Sequence, residues 1–98
     1  MSKKYAADTN ETSSPTVRVF EELMERIKIA VDPDNLTMRV PEAVVYTQIT
    51  KEQLAQLRFT GKGPKFLKPS PRVVLYRKKD LDDWLKNSVH TSTAEVIA

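Results

Sequence analysis

The sequence predicts a mainly α-helical chain with a small β-hairpin, preceded by an extra amphipathic helix. Three observations lead there. Residues 16–30, TVRVFEELMERIKIA, repeat apolar side chains at helical spacing. Residues 41–60 hold two short helical segments separated by a tight turn. Residues 61–77, GKGPKFLKPSPRVVLYR, gather the only two glycines and three of the six prolines just before a run of β-formers.

A chain of 98 residues holds at most one small core. No apolar run approaches the roughly 20 residues needed to cross a bilayer. The opening MSKKYAADTNETSSP lacks the apolar h-region of a secretory signal, so a cytoplasmic protein is expected. Cysteine is absent, which removes disulfides, thiolate nucleophiles and cysteine-zinc sites together.

Taken in order, residues 1–15 read as a disordered polar tail. In 16–30 the helical wheel puts Val17, Phe20, Leu23, Met24 and Ile27 on one face, with Glu21, Glu22, Glu25 and Arg26 largely opposite. That face fits either its own domain or a partner chain. VDPDNLT then breaks the helix through Pro33, closing a helix-and-linker segment over 16–36. A second unit is expected over 37–87. Pro41 and Glu42 suit the first turn of a short helix. Thr50 caps the next one, TKEQLAQLRF, with Gln53 as its capping-box partner. Val44 or Val45 would meet Ile49, Leu54 and Leu57 in an apolar wedge between two crossed helices, the helix-turn-helix arrangement. Gly61 ends the second helix and Gly63-Pro64 forbids its resumption. Lys65–Lys68 and Val73–Arg77 are the expected strands, joined across Pro69-Ser70-Pro71-Arg72. The last helix, KKDLDDWLKN, takes Asp80 as its expected N-cap and Trp84 as a core residue. Residues 88–98 read as a flexible tail, with the apolar end Val96-Ile97-Ala98 expected to serve as a handle for proteolysis.

Charge separates these segments. Residues 1–36 carry five Lys/Arg against seven Asp/Glu, residues 37–79 ten against two, and residues 80–98 one against four. A middle of net +8 between acidic ends favours a polyanionic partner over a merely solvated surface. A hairpin behind a helix-turn-helix forms a wing, and this one is brief, stiffened by proline and purely basic. The second helix would then enter a major groove while the ribbon meets neighbouring phosphates. An ordinary surface hairpin whose lysines guard an edge strand is the plainer alternative.

The stretch VPEAVVYTQITKEQLAQLRFTGKGPKFLKPSPRVVLYRKKDLDDWL resembles the small winged helix-turn-helix modules of phage excisionases and the AlpA-like regulators within the MerR-like group. The GKGPKF turn, the VLYRKKDLDDWL passage and the helix spacing carry the likeness over residues 38–86. It departs from the pattern at Gln48, where glycine is usual, and at Leu57, where an aromatic is common. The resemblance implies a recombination directionality factor: an architectural protein of the bacterial host cytoplasm and nucleoid that binds double-stranded DNA beside an attachment site. Neighbouring copies of itself and an integrase would be its partners, and DNA bending would promote excision. No cofactor or small-molecule substrate is implied. Thr50, Lys51, Gln53 and Gln56 match the recognition helix, while Lys68, Ser70 and Arg72 match the wing tip. Lys51, Lys62, Lys65, Lys68, Arg72, Arg77 and Lys78 are read mainly as phosphate contacts. Gln can read an adenine edge. Arg58 either joins the DNA contacts or, lying near Leu54 on the helix, braces the fold. Glu52 is expected to point away from phosphate or to meet a cytosine amino group.

Catalysis finds no constellation here. His90 is the only histidine and lies in the tail. TGKGP lacks the spacing of a phosphate-binding loop, and Asp80, Asp82 and Asp83 are accounted for by a helix start. The chain is therefore read as a binding protein with no metal and no enzymatic activity. Two other readings stay open: an AlpA-like or MerR-like transcriptional regulator, and a protein-interaction module docking through the 16–30 helix.

Overall fold

The computed structural model describes residues 14–91. The expected N-terminal tail, apart from Ser14 and Pro15, lies outside the described residues, as does the apolar end Val96–Ala98. Four α-helices and one three-stranded antiparallel sheet make up the described chain. In order they are α1 (Pro15–Ile29), a 3₁₀ turn (Pro33–Asn35), β1 (Thr37–Arg39), α2 (Val40–Thr47), α3 (Lys51–Thr60), β2 (Leu67–Ser70), β3 (Val73–Arg77) and α4 (Lys78–Lys86).

Local chemistry sets the helix ends. The Ser14 hydroxyl accepts from the Val17 N–H at 3.1 Å and Pro15 occupies the first turn, so α1 begins one residue earlier than expected. In α2, the Glu42 carboxylate reaches back to accept the Arg39 N–H at 2.8 Å, satisfying a donor that the helix start leaves open. The start of α4 differs from expectation. Arg77 is its N-cap and Asp80 lies one turn inside, because the chain passes directly from strand to helix with no intervening residue. Asp80, nearly buried, accepts the Arg77 Nε–H at 2.9 Å.

Strand β1 was not expected. Its three residues pair with β3 as Thr37↔Arg77, Met38↔Tyr76 and Arg39↔Leu75, which makes β3 the centre of the order β1-β3-β2. The hairpin is also displaced from the sequence reading. Its first strand is Leu67–Ser70 rather than Lys65–Lys68, and only Pro71 and Arg72 form the turn. The register shifts between Leu67↔Leu75 and Ser70↔Val73, so the pairing is irregular around Pro69, which has no N–H to give the ladder.

Leu23, Met38, Ala43, Leu54, Tyr76 and Leu81 form the fully buried core. Each large apolar side chain among them stabilises the fold by about 1.5–3 kcal/mol through burial. Of the expected helix wedge only Leu54 is fully buried, with Val44 and Ile49 packed partly against the cluster. Trp84 is a correction: it is half-buried, and its indole N–H donates to the Lys62 carbonyl at 3.1 Å. Tyr76 fills the centre instead, since it projects from the middle strand. Helix α1 packs on α2 within the chain, contributing Leu23 to the core. Arg26 fastens that contact by donating to the Glu42 carboxylate and, at 2.8 Å, to the Thr37 carbonyl.

Candidate nucleic-acid interface

Three residues, Gln48 to Thr50, join α2 to α3. Gln48 adopts the left-handed conformation with φ 66°, at the position where the family resemblance expects glycine. Its backbone N–H still caps α2 through Val44 O at 2.8 Å, and its side-chain amide donates to Val45 O at 3.0 Å. Thr47, buried at the end of α2, donates to Ala43 O at 2.8 Å and accepts from the Ile49 N–H at 3.2 Å. Thr50 and Gln53 form the expected reciprocal capping box, each bond 3.1 Å long. The Thr50 hydroxyl is thus engaged as an acceptor in the helix start, while Gln53 retains its amide N–H groups.

Helix α3 turns Leu54, Leu57 and Arg58 inward and leaves Lys51, Glu52, Gln53, Gln56 and Phe59 exposed. Glu52 and Gln56, four residues apart, are neighbours on the outer face. Arg58 braces the fold: its guanidinium donates to the hydroxyl of buried Tyr76 at 2.7 Å. Sequence reasoning missed Phe59, which is 87% exposed on this same face. Helical spacing contains the signal, since Leu54, Leu57 and Arg58 define the inward face and Phe59 falls nearly opposite Leu54.

Gly61 closes α3 with φ 73°, where glycine is favoured, and its N–H reaches Arg58 O. Gly63 packs so closely under the helix that an added Cβ would lie 2.7 Å from Leu57 Cβ. The chain therefore leaves α3 at a fixed angle. Leu57 and Arg58 line one groove together with Lys65, Phe66 and Leu67, so the end of α3 and the entry to the hairpin share a surface. The ring of Phe66 meets Tyr76 at 6.4 Å. At the hairpin tip, Lys68 Nζ donates to Pro71 O at 2.8 Å, and Arg72 stands exposed in the turn. Ser70 pairs with Val73 at the end of β2 and is half-buried.

The structure divides the basic residues of the middle segment into two groups. Arg77 is bridged to Asp80, Lys78 to Asp82 at 2.9 Å and Asp34 at 3.9 Å, and Lys79 to Asp83 at 3.1 Å. These partners come mostly from the first turns of α4. Lys78 holds its proton more tightly than an ordinary lysine because of the hydrogen bond to Asp82, and Lys79 does the same through Asp83. Tyr46 joins the Asp82 carboxylate from α2; burial and then that hydrogen bond raise its phenol above the usual range. Arg39, Lys51, Arg58, Lys62, Lys65, Lys68 and Arg72, by contrast, have no carboxylate partner within ion-pair distance among the described residues. Arg58 aside, those residues are exposed. Arg77 and Lys78 are thus tied into intramolecular pairs, unlike the other cations read as phosphate contacts.

Among the described residues, no group of three or more metal-ligating side chains converges, and no helix is long and apolar enough to cross a membrane. Scanned against models of known protein families and against curated proteins, the sequence gives no match.

Proposed function

We propose that the chain is a sequence-specific, double-stranded-DNA-binding protein of winged helix-turn-helix type. In this reading α3 enters the major groove and the β2–β3 hairpin tracks the adjacent backbone. The observation that carries it is the partition of charge: among the described residues, every Lys and Arg from residue 51 to 72 lacks a carboxylate partner, whereas the three at 77–79 each have one. The cations at 51–72 are thereby left open to a polyanion. Lys51, Lys62, Lys65, Lys68 and Arg72 take phosphates, and Gln56, with Gln53 beside it, faces base edges.

The biological role that best fits is that of an excisionase-like accessory factor, which bends DNA at an attachment site so that an integrase excises rather than inserts. One short helix and one hairpin cover on the order of 600–1,000 Å² of protein surface. Such a footprint calls for several copies on adjacent sites. A gel-shift titration against random duplex and against the protein's own upstream and attachment-region DNA, at two salt concentrations, tests the binding reading. Cooperative, salt-sensitive ladders on the specific fragment support it, and no shift at either salt overturns it. Bending and stimulated excision in the presence of integrase then separate the directionality factor from an AlpA-like transcriptional regulator. Gln56→Ala should lower the preference for the specific fragment by about 1–3 kcal/mol.

A further inference from the structure

Helix α1 buries only one edge of its apolar surface. Leu23 enters the core and Ile27 packs partly against it, while Val17, Phe20 and Met24 remain 43%, 47% and 37% exposed. Val17, Phe20, Met24 and Ile27 follow each other at intervals of three, four and three residues, the a/d spacing of a coiled-coil seam. Val31, fully exposed, follows the extended Ala30 that ends the helix. In that register Leu23 and Ala30 fall on one flank of the seam, toward the chain's own core. Glu21 and Lys28 fall on the other flank, exposed and opposite in charge.

This asymmetry selects the partner. We propose that two copies of the chain pair through the α1 seams, antiparallel about a two-fold axis, with Glu21 of each copy facing Lys28 of the other. A parallel pairing would bring the charged flank of one copy against the flank that the other has already committed to its core. An antiparallel two-fold maps the charged flank onto itself and reverses its direction, so Glu21 meets Lys28 twice. Among the described residues Lys28 forms an ion pair with Glu25 alone, at 3.8 Å and well exposed, a contact too weak to withhold it. The proposal does not rest on DNA binding.

Sedimentation equilibrium of the full chain without DNA, carried to millimolar concentration, provides the test. The weight-average mass should rise from 11.2 kDa toward twice that value. Phe20→Glu should hold the protein at monomer mass with an unchanged circular-dichroism spectrum. Glu21→Lys alone, or Lys28→Glu alone, places like charges opposite each other at both symmetric positions and should weaken dimerisation about tenfold. The Glu21→Lys/Lys28→Glu double variant should restore it. A monomer at every concentration, as when the chain's own terminal residues cover the seam, overturns the proposal. So does a dimer that survives Phe20→Glu, or a charge swap that fails to rescue.

Discussion

The charge partition makes a quantitative statement about DNA binding. From α3 to the hairpin turn, five exposed cations, Lys51, Lys62, Lys65, Lys68 and Arg72, have no carboxylate partner among the described residues and are available to phosphate. Each neutralised phosphate contributes about −0.9 to the slope of log affinity against log salt, so the slope should be about −4.5, and a fourfold rise in salt should weaken binding about 500-fold. Counting Arg77 and Lys78 as well would give about −6.3 and a loss of roughly 6,000-fold. The two cases differ tenfold. Fluorescence-anisotropy titrations of a random duplex over a salt series measure the slope directly. Arg72→Ala should flatten it by about 0.9 while weakening all sequences alike. Lys78→Gln should leave it unchanged, because the Asp82 carboxylate already compensates that ammonium at 2.9 Å. A melting curve on each variant separates lost binding from lost fold. If Lys78→Gln flattens the slope as much as Arg72→Ala, the acids of α4 do not shield their partners and the partition has no functional meaning. A slope near zero in the unaltered protein removes the phosphate contacts altogether.

Three further outcomes test the fold around this surface. Gln48→Gly should raise stability by about 0.5–1 kcal/mol, seen as a higher melting temperature, because the left-handed turn strains any side chain but costs glycine little. Gly63→Ala should lower it by about 1–3 kcal/mol, since the new methyl group lies 2.7 Å from Leu57 Cβ, an atom fixed to the helix backbone. Tyr46 and Lys78 both bind their protons more tightly in the folded chain than at the ordinary values of 10.0 and 10.5. Their contribution to stability is complete below those values and disappears as pH rises through the higher folded ones. Melting temperature should therefore fall in alkali above about pH 10, and less steeply in Tyr46→Phe; equal slopes would exclude the Tyr46 contribution.

Elements whose signals are local were legible in the sequence. Thr50 with Gln53, and Gly61 after Thr60, announce the two ends of α3 because a cap acts over three or four residues. Strand β1 was not legible, since three residues acquire strand geometry only by pairing with β3, forty positions away. Trp84 was misplaced because size alone argued for the centre; the middle position of β3 gives that place to Tyr76. For the candidate interface, the net charge of the middle segment was readable but its distribution was not. Spacing could have hinted at Lys78–Asp82 and Lys79–Asp83, four residues apart on one helix. The bond from Arg58 to Tyr76 joins residues eighteen apart and depends on how helix and sheet meet.

The pairing of β1 with β3 also bears on how the chain folds. Hairpin β2–β3 closes over a two-residue turn, whereas β1 reaches β3 only after the whole α2–α3 pair has been spanned. Short closures form in microseconds and long ones cost more entropy, so the hairpin should assemble early and the outer strand should dock late. Met38 rides on that outer strand into the core. A fragment starting after Arg39 would therefore keep its hairpin and lose the clasp that holds the two ends of the helix pair together.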